Sequence, residues 1–335
     1  MRPTIALDVA IVAANLQAWR KFAGVPVRPV LKANAYNWGL ADVVPALDPY
    51  CDAYCVADLE ELHDLRRFSA HPAILLAPVK TDDLEEVFAL DGVPVVETFE
   101  DVAATTAYAA RTSRRARVRV GLMPAAGFSG VDLARLDQLA PALGACPCDL
   151  ELFTHITSDT NLHQVLGRVK QAQRMIRGAG GKLLQTDVFS TAPLAREGVV
   201  GDTVRVGAGL YGATFGGRVP GVRCALRVSA PVVRVERVQA GTRVGYGDVK
   251  VEENGYVLVA RCGYADGLPK GLAGHSDILS VGMQYVTQRT SNEHAVEIEL
   301  LNASVDLDGF AARAGRDVHE IITSFGSAKT STVSV

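Results

Sequence analysis

The stretch Val25-Pro26-Val27-Arg28-Pro29-Val30-Leu31-Lys32-Ala33-Asn34-Ala35-Tyr36 contains a short apolar run that leads into a lysine. The run Val25–Leu31 predicts a buried strand, so we expect Lys32 at the strand end to be partly desolvated. Partial desolvation favours the neutral, nucleophilic amine that imine chemistry needs. Tyr36 adds a hydroxyl four residues later. A lone lysine at this place fits an ordinary strand end, but the pair also fits a Schiff base with pyridoxal 5′-phosphate, with Tyr36 reaching the phosphate.

Short apolar runs alternate with amphipathic helical patterns from about residue 27 to residue 211. This alternation predicts a parallel sheet, which closes most economically as a (β/α)8 barrel, here over residues 8–220. After residue 221 the pattern changes to alternating apolar and polar residues with frequent glycines, as in 230–238. That pattern predicts an antiparallel β domain made of residues 221–335 together with 1–7. The predicted barrel strands that follow the first are Ala53–Ala57, Ala73–Ala77, Val93–Glu97, Ala116–Val120, Glu151–His155 and Thr186–Ser190.

Composition excludes several functional classes. The 335 residues are 48% hydrophobic and 21% charged, with 34 basic and 37 acidic side chains and a net charge of -3. This balance gives no reason to expect nucleic acid or a membrane surface as a partner. Six scattered cysteines predict free thiols in a reducing cytoplasm. Cys146-Pro147-Cys148 lacks a second ligand pair at metal spacing, so we predict no metal site.

Further candidate residues stand where predicted strands end, which is where a barrel presents its reactive groups. His155 and Ser190 each follow an apolar run, and Arg205 precedes the glycine-rich segment Gly207-Ala208-Gly209. A hydroxyl and a glycine-rich backbone together can cradle a phosphate. Each residue alone also fits an ordinary structural role. Their order and spacing favour a common site.

Taken together, these motifs resemble the alanine racemase family of fold-type III pyridoxal phosphate enzymes. The matching segments are 6–16, 32–36, 153–155, 189–192, 204–212, 245–247 and 263–267. The resemblance implies that Lys32 holds pyridoxal 5′-phosphate and that His155 stacks on its ring. It implies further that Tyr36, Ser190 and the backbone of Gly207 and Ala208 bind the phosphate. Tyr264 would be a second catalytic base opposite Lys32, contributed by the partner subunit of a homodimer with shared sites.

The resemblance also places Arg205 against the pyridine nitrogen, which has a chemical consequence. An arginine does not give up its proton and disfavours a protonated ring nitrogen, so the ring withdraws electrons less strongly. The carbanion left at Cα when the proton is removed is then less stabilised and therefore short-lived. Its prompt reprotonation at Cα favours racemisation of an amino acid. Decarboxylation, aldol-type chemistry and β-substitution remain alternatives on the same scaffold, as does a non-catalytic pyridoxal phosphate carrier. Carriers of this type lack a C-terminal β domain, which argues against the last alternative.

Several positions depart from the family pattern. Trp38 stands in place of a histidine, and Arg119 stands where many members carry a carbamylated lysine. Phe128 falls where an arginine is usual, in a stretch with an apparent insertion. Met283-Gln284 replaces a Met-Asp pair in the substrate pocket, and His319 replaces a phosphate-contacting tyrosine. Because these changes concern mainly the substrate side, we expect a substrate other than alanine.

Overall fold

A computed structural model describes residues 2–124, 129–156, 162–198, 201–246 and 248–333. Its strands are β1 (Thr4–Asp8), β2 (Val27–Pro29), β3 (Tyr54–Val56), β4 (Ala73–Pro78), β5 (Gly92–Val95), β6 (Ala116–Gly121), β7 (Cys148–Phe153), β8 (Leu183–Phe189), β9 (Thr203–Val206), β10 (Leu226–Val238), β11 (Arg243–Val244), β12 (Val249–Lys250), β13 (Gly255–Ala260), β14 (Ile278–Val281), β15 (Val286–Thr290), β16 (Glu297–Leu301) and β17 (Ser331–Val333). Its helices are α1 (Val9–Ala23), α2 (Lys32–Tyr36), α3 (Leu40–Leu47), α4 (Leu59–Arg66), α5 (Leu84–Ala89), α6 (Phe99–Thr112), α7 (Leu133–Ala145), α8 (Leu162–Gly178), α9 (Thr191–Glu197), α10 (Leu307–Ala314) and α11 (Val318–Ser327).

Strands β2 to β9 form one parallel sheet of eight strands, in the order β2-β9-β8-β7-β6-β5-β4-β3. The two end strands approach each other through a parallel bridge between Val30 and Cys55, and the Leu31 amide donates to the Cys55 carbonyl at 2.8 Å. The sheet is therefore a nearly closed barrel, and the predicted (β/α)8 fold is confirmed. Strand β2 is shorter than the predicted run 25–31, and β7 ends at Phe153, so His155 lies in the following loop.

The second sheet has seven strands, in the order β14-β15-β13-β10-β1-β17 with β16 also paired to β10. Its pairs are antiparallel, as predicted, apart from the parallel pair of β1 with β17. The 13-residue strand β10 pairs with β1, β13 and β16 and so connects the N-terminal strand to the rest of this sheet.

The turn α2, which carries Lys32 and Tyr36, is left-handed. Ala33, Asn34 and Ala35 have φ angles of 54°, 51° and 54°, and φ remains positive in Tyr36. Each such residue costs roughly 1–2 kcal/mol, so the surrounding contacts must impose the conformation. The Asn34 side chain accepts from the Leu40 amide at 2.9 Å, and the Tyr211 hydroxyl donates to the Ala35 carbonyl at 2.6 Å. The backbone strain is thus concentrated between Lys32 and Tyr36, the two residues predicted to hold the cofactor.

Helix α11 packs directly on this turn. A Cβ atom at Gly326 would lie 2.6 Å from the Tyr36 carbonyl oxygen, so the close approach depends on a glycine. The Trp38 indole is fully buried and donates to the Ile322 carbonyl at 3.1 Å. Trp38 therefore anchors α11, and the expectation that it reshapes the substrate side is wrong. The packing brings His319, near the start of α11, beside Tyr36.

Three negative features concern the described residues only. No helix there combines the length and apolar character needed to cross a membrane. No group of three or more histidine, cysteine, aspartate or glutamate side chains is placed to hold a metal ion in that part of the chain. All six cysteines are unpaired.

Candidate active site

A cavity of about 770 Å³ opens at the end of the barrel where the strands finish. Eight predicted cofactor-binding residues line it: Lys32, Tyr36, His155, Ser190, Arg205, Gly207, Ala208 and His319. They come from five separate segments of the chain, so the fold brings together what the sequence separates. Phe128 lies outside the described residues.

The Lys32 side chain is exposed rather than partly desolvated, which corrects the sequence-based expectation. Strand β2 ends at Pro29, and Lys32 opens the left-handed turn at the cavity. Its amine is therefore accessible from the cavity. The structure thus makes accessibility, and not burial in a strand, the property that suits Lys32 to covalent chemistry.

One end of the cavity gathers hydroxyl and amide groups from three segments of the chain. The Tyr36 hydroxyl lies against Gly207, where a Cβ atom would come within 2.2 Å of it. The Gly207 amide donates to Thr191 Oγ1 at 3.2 Å, and Ala208 begins a 3-10 helix, so its own amide has no partner within that helix. Ser190 occupies the N-cap of α9 without using its hydroxyl as a cap. Burial raises the pKa of Tyr36, so its phenol stays a neutral donor.

A carboxylate and a carbonyl hold Arg205 in place. Its Nε lies 2.8 Å from one Asp187 oxygen and 2.9 Å from the other, and its Nη2 donates to the Thr154 carbonyl at 2.6 Å. Both Arg205 and Asp187 are buried. The guanidinium therefore enters the cavity wall in a fixed orientation.

Arg205 belongs to a group of buried charged side chains inside the barrel, here called the ionic layer. Its members are Arg28, Arg119, Glu151, Asp187 and Arg205. Arg119 Nη2 also binds Asp187, at 2.7 Å, while Arg28 Nη1 binds Glu151 at 2.9 Å. Burial alone would raise the pKa of Glu151, but Arg119 and Arg28 outweigh it and lower that pKa to about 2. Three buried guanidinium groups face the two carboxylates, and the partly exposed Arg117 adds a fourth at 3.1 Å from Glu151. Positive charge is therefore in excess beneath the cavity.

Arg119 is fully buried and is not part of the cavity lining. Its guanidinium carbon lies 4.1 Å from the centre of the Phe153 ring, and Phe153 does line the cavity. Among the described residues its Nη1 makes no hydrogen bond. Burial lowers its pKa, and the two carboxylates oppose that effect. Arg119 therefore acts on the cavity through Phe153 and Asp187 and does not contact it.

His155 is held in its neutral form. Its side chain is accessible from the cavity, but the surrounding protein displaces much of the bulk water. This desolvation, together with the positive charges of Arg205 and Lys32, lowers the pKa of His155 to about 4. An uncharged imidazole suits a group that is expected to pack against an aromatic ring.

Tyr264, Met283 and Gln284 lie outside this cavity, together on the surface of the second sheet. The Tyr264 amide donates to the Gly282 carbonyl, and the Ala265 amide donates to the Met283 carbonyl, each at 3.0 Å. Tyr264 is 42% exposed and Met283 56% exposed. Within one chain these residues do not line the cavity, so the roles predicted for them require a second subunit.

The sequence analysis did not predict roles for three acidic residues. Asp187 orients Arg205, Asp317 orients His319, and Glu151 pairs with Arg28 in the ionic layer. Asp187 and Glu151 stand within apolar runs that form barrel strands. A charged residue in a strand that is buried on both faces needs a partner. The charges of Asp187 and Glu151 inside predicted strands therefore indicated that each residue has a buried partner of opposite charge.

Comparison with known proteins agrees with this architecture. A model of the alanine racemase N-terminal domain matches residues 7–215, and one of the alanine racemase C-terminal domain matches residues 225–332. The alanine racemase of Corynebacterium glutamicum (strain R) is 28% identical over 297 residues, which cover 84% of this chain and 81% of that protein.

Solved structures show the same fold. The alanine racemase from Bartonella henselae with covalently bound pyridoxal phosphate has a TM-score of 0.83 at 19% identity and full coverage of both chains. The histidine racemase from Leuconostoc mesenteroides subsp. sake has a TM-score of 0.78 at 21% identity, covering 100% of this chain and 98% of that one. Because the two domain models together match most of the sequence, this chain belongs to the alanine racemase family.

Proposed function

We propose that this protein is a pyridoxal phosphate-dependent amino-acid racemase in which Lys32 and Tyr264 exchange the Cα proton. The observation that carries the proposal is the convergence of eight predicted cofactor ligands on one cavity at the end of the barrel. Family membership and the fold shared with two kinds of amino-acid racemase support it.

The residues present fit the cofactor. Lys32 offers an accessible amine for its aldehyde, while Tyr36, Ser190 and the Ala208 amide offer uncharged donors for its phosphate. The Gly207 amide already donates to Thr191 Oγ1, so Gly207 contributes the space beside the Tyr36 hydroxyl. The Gly207 position supports this fit, because any side chain there would fill the space beside the Tyr36 hydroxyl. When bound, pyridoxal phosphate supplies the electron-withdrawing ring that makes the α-hydrogen of an amino acid acidic.

Arg205 would direct the chemistry towards racemisation. Asp187 and the Thr154 carbonyl fix its guanidinium, and the surplus positive charge of the ionic layer lies behind it. A fixed positive charge next to the pyridine nitrogen disfavours protonation there, which weakens the electron sink. A proton removed from Cα is then returned promptly. Return from the opposite face inverts the centre.

A second subunit would supply the opposite base. Tyr264, Met283 and Tyr285, in turns of the second sheet, are 42%, 56% and 41% exposed. Tyr246, in the hairpin between β11 and β12 and beside Gly282, is 75% exposed. Large apolar and aromatic side chains exposed in this number mark an interaction surface. We assign the surface to a second copy of the chain, which would place Tyr264 opposite the partner's lysine.

Light scattering tests this dimer. Tyr246→Glu should yield monomers, whereas Leu184→Glu, a change at an exposed apolar residue of barrel strand β8, should leave the dimer intact.

The proposed substrate is an amino acid other than alanine. The histidine racemase with this fold supports the idea that the scaffold accepts a larger side chain. The surface position of Met283 and Gln284 near Tyr264 supports a substrate pocket that is completed at the subunit interface.

Two measurements on purified protein test the proposal. Apoprotein incubated with pyridoxal phosphate and then separated from unbound cofactor should carry visible absorbance. Lys32→Ala should lack it, and Lys21→Ala, a change at an exposed lysine of α1, should keep it. The loaded wild type should convert one enantiomer of at least one amino acid into the other, as read by chiral chromatography. Failure to take up the cofactor, or equal absorbance in Lys32→Ala, would overturn the proposal.

A further inference from the structure

Asp317 fixes the protonation of His319 at the phosphate end of the cavity. One oxygen of Asp317 accepts from the His319 backbone amide at 2.7 Å and lies 2.6 Å from His319 Nδ1. Burial raises the pKa of Asp317, but these bonds from His319 outweigh it and lower that pKa. An ionised carboxylate only accepts hydrogen bonds, so Nδ1 must carry a proton. The neutral imidazole is therefore restricted to the tautomer whose Nε2 is a bare acceptor.

The His319 ring is held where the phosphate is expected. It stacks on Tyr36 with ring centres 6.1 Å apart and planes inclined by 22°, and it lies 5.6 Å from the Phe215 ring. His319, Asp317 and Tyr36 all line the cavity, at the end that Gly207 shares. Among the described residues no hydrogen bond involves Nε2, so this nitrogen is left to meet a ligand.

We propose that His319 and Asp317 form a proton-linked phosphate contact, in which binding of the cofactor's phosphate requires a proton on His319 Nε2. The inference rests on the proposed function, because it concerns the cofactor of that site. A neutral imidazole would present a lone pair to an anion, whereas the imidazolium presents an N–H group and a positive charge. Nε2 then takes one proton from solvent and shares it with a phosphate oxygen. No bond to phosphorus changes.

Charges on every neighbouring element bear on this proton. Asp317 and Glu320 on the same helix place negative charge near the ring, and Arg316 pairs with Glu320 at 2.8 Å. Arg196 from α9, Lys32 from the left-handed turn and His155 across the cavity are the other titratable groups in the lining. Arg196 and Lys32 oppose a second cation nearby.

Two lining groups add no charge. The pKa of His155 is lowered to about 4, so it is neutral near pH 7, and Tyr36 stays a neutral phenol because burial raises its pKa. The carboxylate of Asp317 is therefore the charge in direct contact with the ring, and a phosphate bound at Nε2 would add negative charge on the opposite side. Proton uptake is thus coupled to binding.

Calorimetry of the apoprotein with pyridoxine 5′-phosphate tests this coupling. This probe has the phosphate but no aldehyde, so it cannot bond to Lys32. Titrations at pH 8 in buffers of different ionisation enthalpy give the number of protons taken up per site. The wild type should take up as much as one proton more than His319→Tyr. Its affinity should fall by up to about tenfold per pH unit above pH 8, against a flatter profile in His319→Tyr.

Two further variants separate the effect of Asp317 on the His319 ring from its role in capping helix α11. Asp317→Asn keeps an oxygen for the His319 amide but removes the charge, so it should lose part of the proton uptake. Asp132→Asn makes the same change at the N-cap of α7, where Asp132 accepts from the Arg135 amide at 2.7 Å, and should behave as the wild type. Protons that the probe itself gains or loses on binding are the same for all variants, so they cancel when proton uptake is compared between variants.

The outcomes are distinct. Equal proton uptake by the wild type and His319→Tyr, or wild-type uptake in Asp317→Asn, would overturn this inference and leave the racemase proposal standing. An apoprotein that binds neither pyridoxine 5′-phosphate nor pyridoxal phosphate would overturn both.

Discussion

Replacing Asp187 by asparagine should destabilise the barrel strongly. The side chain is fully buried and pairs with Arg119 at 2.7 Å and with Arg205 at 2.8 Å. Asparagine keeps the size but removes the charge, so three buried guanidinium groups would face one carboxylate. Breaking a buried ion pair from one side costs about 3–5 kcal/mol, because the remaining charge stays buried without compensation.

The expected shift in melting temperature follows from the length of the chain. With an unfolding entropy of about 2.1 cal/mol/K per residue, 335 residues give about 0.7 kcal/mol/K. The cost therefore corresponds to a fall in Tm of about 4–7 °C. Scanning calorimetry or thermal circular dichroism on the apoprotein measures it without any contribution from ligand binding.

Asp149→Asn is the matched control. Asp149 also binds two cations, Arg115 at 2.7 Å and Lys182 at 3.0 Å, but both partners are largely exposed. Exposed pairs contribute about 1 kcal/mol or less, which is about 1–2 °C at most here. A Tm for Asp187→Asn that falls no further than that of Asp149→Asn would refute the reasoning about the ionic layer.

Three other predictions concern acid stability, subunit sharing and specificity. Because the pKa of Glu151 falls from 4.5 to about 2 on folding, its charge stabilises the fold fully above pH 4.5 and progressively less as the pH drops towards 2. The free energy of urea unfolding should therefore depend less on pH in this window for Glu151→Gln than for wild type; parallel profiles would contradict it. Mixed Lys32→Ala and Tyr264→Phe proteins should regain activity after subunit exchange, since a hybrid dimer has one site with both bases; no rescue despite proven exchange would exclude shared sites. Alanine should have a lower kcat/KM than at least one bulkier amino acid, and an alanine value at least equal to all others would identify an ordinary alanine racemase.

The barrel was predictable because its strands are buried on both faces. Such strands appear as continuous apolar runs, and the helices between them carry a different period. The cavity residues were predictable for a related reason: His155 and Ser190 follow directly on these runs, and a barrel brings its strand ends to one rim.

The left-handed turn was not predictable from local sequence. Ala33-Asn34-Ala35 contains no glycine to signal positive φ, and the contacts that impose the turn come partly from Tyr211. This turn is also why Lys32 is exposed and not buried at a strand end. Likewise, Trp38 owes its buried position to Ile322, which is 284 residues away along the chain.

The ionic layer was hidden because its partners lie on different strands. Neighbouring strands pair Arg119 of β6 with Glu151 of β7 and Arg205 of β9 with Asp187 of β8. Arg28 of β2 reaches Glu151 from a strand that is not its neighbour in the sheet. Sequence alone shows each as an isolated charge in an apolar run.

Isotope exchange tests the central claim most directly. The loaded enzyme is incubated with one enantiomer of its best amino-acid substrate in deuterium oxide, and products are read by chiral separation and mass spectrometry. A racemase predicts the opposite enantiomer carrying one deuterium at Cα, with the loss of this product in both Lys32→Ala and Tyr264→Phe. Release of carbon dioxide, cleavage at Cβ, or an inverted product without deuterium at Cα would contradict the account.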